Sequence, residues 1–528
     1  MHRMRKGAVI ALGGAMYALM AALGWQAERW GESRPLRALA TAAVLLPFAM
    51  AALAGLFRLS ERNSACRADE AQVRFRPLRV FACFFLCDVP IFLLTFPGSF
   101  AYDVPFQLEQ VFTGAYSTHH PLLHTLLMGG CVRLGHTLGS INLGAALYTV
   151  LQMAGLSACF AAACASIARQ SGVRAARRSA VFFALYPLHM MMAVNATKDV
   201  LFSGLFALTL ALLREELTAS QKDGRRLAAI ALCGAGMLLL RNNALYAMAV
   251  WLVLALLLLR RRSLRAAAAS LAALALCIGM GGALQAATNA QDGDPREMLS
   301  WPIQQMARAR SLHGERLTEE ERQAVDALMP EESWRLYDPM ISDPVKFAFD
   351  TDALRGDMGR FARVYASIGA KCPKDYADAL LMLTYSFWYP YGEYRVPGYY
   401  LQMGVTDDYY DWCDFERISS RSAAPRVLAS LSWRFGAQGA MQIPLVGYLF
   451  NMGVIVWVML YFVLREAYMG RWASLTAALL PVLLWGTFLL GPVMAGRYVY
   501  PFVCCLPVLA SHVKTSAGSV LPAERIRS

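Results

Sequence analysis

Long runs of apolar residues with almost no charge dominate this sequence and decide what it can fold into. A helix that crosses a bilayer needs about 20 mostly apolar residues. About twelve stretches approach or reach that: 7–24, 38–57, 78–96, 141–166, 179–196, 198–213, 227–240, 244–259, 266–285, 442–464, 472–492 and 498–513. With 57% hydrophobic and 16% charged residues and a mean hydropathy of +0.39, the chain falls outside the range of ordinary soluble domains. The expected fold class is an all-α polytopic membrane protein with about twelve transmembrane helices.

A net charge of +13 invites a nucleic-acid reading, but its distribution argues against one. Residues 287–437 hold 23 acidic and 17 basic side chains, which leaves 33 basic against 14 acidic elsewhere. The basic excess sits in short loops: Arg58, Arg62, Arg67, Arg74, Arg76 and Arg79 in one, Arg169, Arg174, Arg177 and Arg178 in another, Arg260, Arg261, Arg262 and Arg265 in a third. That is the pattern of cytoplasmic loops facing anionic lipid. Membrane lipid is therefore an expected partner and nucleic acid is not.

Placing Arg3, Arg5 and Lys6 inside makes the loop after residue 96 external. The next basic cluster, 169–178, returns inside only if one of the two apolar stretches between 121 and 168 does not cross. Residues 121–138 carry His124, Arg133 and His136 and read as an interfacial amphipathic helix. Every later basic cluster then falls inside, including Arg465, Arg471, Lys514, Arg525 and Arg527. The expectation is a cell-membrane, multi-pass protein with cytoplasmic N- and C-termini. It has three parts: an N-terminal transmembrane module (1–286) with a first-loop region at 97–138, an extracytoplasmic domain (287–437) of mixed, partly helical character, and C-terminal transmembrane helices (438–528). Glu319 to Met329 reads as a helix of the outer domain, and Tyr385 to Tyr410 as irregular structure. Most of the twelve cysteines lie in apolar stretches; only Cys372 and Cys413 fall in the polar segment, as a disulfide or as two thiols.

This topology collects polar residues at one face. The first-loop sequence around Asp103, with Glu109 behind it and then His119-His120-Pro121, brings a carboxylate and imidazoles to a helix start, where Pro is well suited. Asp103 is the candidate general base, against the alternative of a plain exposed turn. Lys198-Asp199 sit between two helices at the same face, as a phosphate-binding point charge with its orienting acid, or as a self-paired turn capped by Thr197. Arg241-Asn242-Asn243 and Arg497-Tyr498 offer guanidinium forks for phosphate, or arginines that snorkel to headgroups. Asp88, within an apolar stretch, reads as a helix-to-helix bond or a proton relay, and Trp301 to Gln305 as a lid or acceptor-binding edge. No P-loop, dinucleotide fingerprint, zinc signature or nucleophile elbow occurs.

In the order of these pieces, from Asp103 through His120-Pro121-Leu122-Leu123 and Lys198-Asp199 to a late external domain, the chain resembles the GT-C superfamily of membrane glycosyltransferases. That superfamily includes protein O-mannosyltransferases and aminoarabinose transferases. The resemblance is closest over residues 78–260, with Arg497-Tyr498 and Pro501 as a looser echo. It implies transfer of a sugar from a polyprenyl-phosphate donor to an unknown extracytoplasmic acceptor. Asp103 would act as base, with His119 and His120 beside it. By position, Lys198 with Arg241 or Arg497 would bind the donor phosphate; Glu109, Asp199, Asn242 and Tyr498 are the further candidate substrate-binding residues. Many relatives carry two adjacent acids in the first loop, whereas Tyr102 and Val104 flank a lone Asp103 here. No cofactor is expected; a divalent metal on Asp103, His119 and His120 is the weaker reading. The competing class is a transporter or flippase of a lipid-linked sugar precursor, which calls for polar groups along both halves of a pathway.

Overall fold

The computed structural model describes residues 2–65, 75–101, 103–392, 403–405, 417–435 and 443–512. Arg67, Arg74, Tyr102, Lys514, Arg525 and Arg527 lie outside the described residues, as does Cys413 and with it any pairing to the buried Cys372. Among the described residues the molecule is all-α, with extended backbone paired only in isolated bridges.

Among the described residues, twelve α-helices make up the N-terminal part: α1 (His2–Trp30), α2 (Pro35–Ala65), α3 (Pro77–Thr95), α4 (Val104–Thr113), α5 (Leu122–Thr137), α6 (Ile141–Ser171), α7 (Val173–Leu185), α8 (Pro187–Ala193), α9 (Lys198–Thr218), α10 (Gly224–Leu240), α11 (Asn243–Leu259) and α12 (Leu264–Thr288). The acidic segment contributes α13 (Ser300–His313), α14 (Glu319–Leu328), α15 (Met358–Lys371), α16 (Pro373–Thr384) and α17 (Pro425–Phe435), with shorter turns between. The chain returns through α18 (Met452–Met469), α19 (Trp472–Phe488) and α20 (Tyr500–Ala510). Side-chain caps start several of these where the sequence offers an oxygen: Ser140 accepts from Leu143 N, Thr197 from Asp199 N, Asp223 from Arg225 N and Asn451 from Val454 N. Thr318 and Glu321 form a full capping box on α14.

Among the described residues, seven helices are long and apolar enough to cross a membrane: Met4–Trp30, Pro35–Arg62, Pro77–Thr95, Ile141–Ser171, Asn243–Arg262, Leu264–Thr288 and Met452–Met469. α19 and the stretch Gly496–Ala510 are apolar but shorter. The stretch 179–196 is not one helix. Tyr186 is extended (φ −71°, ψ 119°) ahead of Pro187, which ends α7 and starts α8. α5 is shorter than a span and buries His124, Thr125, Met128 and Val132 while leaving Leu134 and Leu138 exposed.

α5 and α6 meet through glycine. A Cβ on Gly135 would stand 2.3 Å from Gly144 N, and one on Gly144 would stand 2.5 Å from Cys131 O. The obstruction is backbone, so it cannot swing aside. Gly144→Val is expected to cost at least ~1–3 kcal/mol through overpacking, whereas Gly130→Ala, whose Cβ meets open space, leaves the melting temperature in detergent unchanged or slightly raised.

Two polar ends flank the helical body. At one, Arg169 and Arg226 pair with Glu215 (2.7 and 3.4 Å), while Arg226 and Arg265 pair with Glu216 (2.9 and 2.7 Å). Arg214 binds Gln170 and Ser511 at that end, and Arg465 binds Glu466 and the carbonyl of Leu509. The other end meets the acidic segment, which has its own core of Ile303, Met306, Val325, Leu354 and Ile368. That segment is pinned down by Trp301 Nε1 donating to Leu489 O (2.7 Å), Ser342 N to Pro492 O (2.8 Å) and Lys374 pairing with Glu32 (2.7 Å).

Candidate active site

Two loops at that second end are locked side by side. Ser99 N donates to Val194 O and Ala196 N to Ser99 O, both at 2.8 Å, so residues 99 and 195 form a short parallel bridge. The approach is close: Gly98, at φ +132°, would place a Cβ 2.3 Å from Thr149 Oγ1. Ser99 also bonds Gly404 through its hydroxyl. The register delivers Asp103, just ahead of α4, to the first residues of α9.

There the charges meet. Lys198 Nζ donates to Asp103 Oδ2 at 2.8 Å and to His120 Nδ1 at 3.3 Å. Because an ammonium can only donate, His120 Nδ1 accepts, and its proton sits on Nε2. Arg497 stands between the two acids, with Nη2 3.5 Å from Asp103 Oδ1 and Nε 3.6 Å from Asp199 Oδ2. Asp199, fully buried, pairs in turn with Arg241. Arg241 lies over the rings of Phe488 (4.5 Å) and Tyr498 (4.6 Å), and Arg497 over Tyr498 (5.5 Å). The result is one connected file, His120–Lys198–Asp103–Arg497–Asp199–Arg241, drawn from the first loop, α9, the α10–α11 turn and the short turn Gly496–Val499 just ahead of α20.

Burial dominates the electrostatics. It works to raise the Asp103 carboxyl, but Arg497, Lys198 and His120 overcome it and hold the group well below the usual carboxylate range. Burial, with Lys198 adding to it, holds the His120 imidazole well below its ordinary value, so it is neutral near pH 7. Burial also lowers the Arg241 guanidinium to about 10, which still leaves it charged. Asp103 keeps about a quarter of its side chain exposed (26%), against 10% or less for the two arginines and none for Asp199. The accessible part of the site is therefore Asp103, Lys198 and the near face of Arg497. Arg241 and Asp199 form its floor.

Of the residues singled out in the sequence, Asp103, His120, Lys198, Asp199, Arg241, Arg497 and Tyr498 converge. Lys198 and Asp199 are not paired with each other, although Thr197 does cap α9, and the two arginines reach carboxylates rather than headgroups. Others stand apart. His119 is exposed and touches the site only through its ring edge on His120 (4.5 Å). Glu109 is partly buried on α4 and makes no ion pair among the described residues, and Asn242 is exposed at the N-terminus of α11. Asp88 is buried on α3 and also makes no ion pair among the described residues. Trp301 anchors the acidic segment to the C-terminal end of α19 through Leu489 O. Phe488, beneath Arg241, was not legible as a site residue because an aromatic in an apolar run reads as core.

A family model described as Family of unknown function (DUF6020) matches residues 112–525. The chain belongs to that family. The DUF6020 match takes in His119, His120, Lys198, Asp199, Arg241, Arg497 and Tyr498, while Asp103 stands just ahead of it. No curated protein and no solved structure matches the chain.

Proposed function

We propose that the chain is a GT-C-type membrane glycosyltransferase. It moves a sugar from a polyprenyl-phosphate donor to an acceptor hydroxyl on the extracytoplasmic face, with Asp103 as general base. The observation that carries this reading is the meeting of Asp103 with Lys198, Arg497 and His120 at one partly open point at the helix ends. An isoprenoid tail lies in the bilayer, and its phosphate sits at the level of those ends. Lys198, Arg497 and the positive end of α9 would receive it.

The charge count supports a phosphodiester donor. Lys198, Arg241 and Arg497 face Asp103 and Asp199 with a neutral His120, an excess of one positive charge against the one negative charge of such a donor. In the transfer step the acceptor oxygen bonds to the anomeric carbon, and the bond from that carbon to the phosphate oxygen breaks. The bonding pair leaves with the phosphate, and the hydroxyl proton passes to Asp103. Negative charge grows on the phosphate as the bond breaks, so cations placed there stabilise the transition state more than the bound donor. In the bare site Asp103 is itself the partner of Lys198 and Arg497, which makes it a weak base. Donor phosphate takes over those cations, and the carboxylate gains basicity once the donor is in place.

The basic inner end supports cytoplasmic termini and an outer segment 287–437 on the far side. A transporter or flippase is the second reading, favoured by charged groups at both ends of α9. Against it, residues 200–213 contain no charged side chain, a gap of roughly 20 Å at 1.5 Å per residue. The charges at the inner end are also already engaged with one another and with the end of α20. The test is transfer of label from a panel of polyprenyl-phosphate sugars to membrane acceptors by purified protein in nanodiscs. Labelled acceptor is the expected result. Donor binding without any transfer, together with movement of donor across proteoliposome membranes, would favour the transporter.

A further inference from the structure

Behind Asp103 a file of buried polar side chains crosses three helices without touching the reacting groups. Gln107, on α4, has its amide nitrogen Nε2 3.0 Å from Thr125 Oγ1 and its oxygen Oε1 3.1 Å from His124 Nδ1. His124 Nε2 is 2.8 Å from Tyr148 OH, which is 2.9 Å from Gln152 Oε1. Gln152 Nε2 then donates to the carbonyls of Ala193 (2.9 Å) and Asn195 (2.8 Å). None of the five side chains is more than 1% exposed. The file ends at both halves of the site: Gln107 N donates to the Asp103 carbonyl (3.1 Å), and Asn195 belongs to the bridge that leads into Lys198.

Counting donors fixes the direction of the protons. Gln152 commits its amide nitrogen to two carbonyls, so its oxygen must accept, and the one hydroxyl proton of Tyr148 goes there. The Tyr148 oxygen is then left to accept from His124 Nε2. With the imidazole neutral, His124 Nδ1 must accept in turn, which requires the Gln107 amide to be flipped end for end, nitrogen to His124 and oxygen to Thr125; amide oxygen and nitrogen are assigned from their partners. The opposite direction leaves the Gln152 and Tyr148 oxygens facing each other with no proton between them. A second proton on His124 would place a cation in a site where no carboxylate touches it, and burial pushes that imidazole down to about 3.

We infer that His124 is a positioning residue, neutral with its proton on Nε2, and that the file from Gln152 to Thr125 sets the spacing of Asp103 against Lys198. The consequence for catalysis rests on the function proposed above, but the proton arrangement does not. The experiment is ¹⁵N spectroscopy of histidine-labelled protein in nanodiscs. The chain has eight histidines, with His124 assigned by His124→Asn and His120 by His120→Asn. Wild type is expected to show a neutral Nε2–H imidazole at His124 at neutral pH. Tyr148→Phe, which removes one hydroxyl and little volume, is expected to release that tautomer and to shift the His120 resonances, since His120 contacts Lys198. Thr125→Val loosens the file from its far end and is expected to act in the same direction.

In the transfer assay Tyr148→Phe should lower kcat about tenfold to a hundredfold, with KM changed by no more than about twofold, as expected for misplaced rather than missing groups. A wild-type His124 that is protonated on Nδ1, or on both nitrogens, overturns the inference without recourse to any variant. So does a Tyr148→Phe protein whose His124 tautomer is released while the His120 resonances and kcat stay put. Should wild type transfer no sugar to any acceptor, the proposed function fails by itself, and the His124 and His120 signals still decide this inference.

Discussion

Asp103→Asn is expected to lose about a hundredfold to ten-thousandfold in sugar transfer, the usual contribution of a general base, and at the same time to bind undecaprenyl phosphate more tightly than wild type. The two effects have one cause. In the bare site Asp103 is held by Lys198 at 2.8 Å and by Arg497 at 3.5 Å, so the carboxylate competes with an incoming phosphate for both cations and repels it. The amide neither competes as a charge nor accepts a proton. Titration calorimetry or a shift in melting temperature with added undecaprenyl phosphate reads the first arm, and labelled transfer the second. Weaker phosphate binding by Asp103→Asn would mean that Asp103 does not occupy the phosphate position. The same contacts give a pH signature. Because the folded-state pKa of Asp103 is depressed, its contribution to stability is present above the ordinary carboxylate range and is lost as the pH falls through the lower folded value. Asp103→Asn lacks that contribution at neutral pH.

The largest stability effect is expected at Asp199. Its carboxylate is fully buried and answers Arg241 directly and Arg497 at 3.6 Å. Asp199→Ala leaves two guanidinium groups with a buried partner removed, a change that costs about 3–5 kcal/mol where one member of a buried pair is deleted. The expected result is a sharp fall in yield and melting temperature in detergent. Removing the opposing charge as well, in Asp199→Ala/Arg241→Ala, should recover part of the loss, because the isolated charge and not the missing contact carries most of the penalty. Equal melting temperatures for Asp199→Ala and wild type would mean that Arg241 finds another partner or water, and the floor of the site would need to be redrawn.

The positions of the site residues were legible in the sequence because a bilayer sorts polarity. Ionisable groups between apolar runs have to gather at helix ends, and a parity count of the basic loops put Asp103, Lys198, Arg241 and Arg497 on one face. Which of them touch was not legible. A self-paired turn is one of the two readings the sequence allows for Lys198 and Asp199, yet each pairs across the molecule, Lys198 with Asp103 and Asp199 with Arg241. The deciding contact is backbone: the bridge between residues 99 and 195 sets the register, and no side-chain pattern announces it. Glu109 and Asn242 stand close in sequence to Asp103 and Arg241, but among the described residues neither joins the file; Glu109 is partly buried on α4 and Asn242 is exposed at the N-terminus of α11. The network from Gln107 to Gln152 escaped for a different reason. Tyr148 and Gln152 stand one turn apart inside a long apolar stretch, and polar residues there read as isolated tolerances until their partners on α4 and α5 are known. Pro187 marked a helix boundary that hydropathy averaged over.

The central claim is that this DUF6020 chain breaks a sugar–phosphate bond at Asp103 and does not merely carry the lipid. It is tested most directly by ³¹P spectroscopy of a polyprenyl-phosphate sugar in nanodiscs with the wild-type protein and an acceptor mixture. The account predicts that the phosphodiester signal is replaced by that of the free polyprenyl monophosphate, only with acceptor present and not with Asp103→Asn. A phosphodiester that stays intact under all acceptors, while the same protein moves it from one leaflet of a proteoliposome to the other, would contradict it.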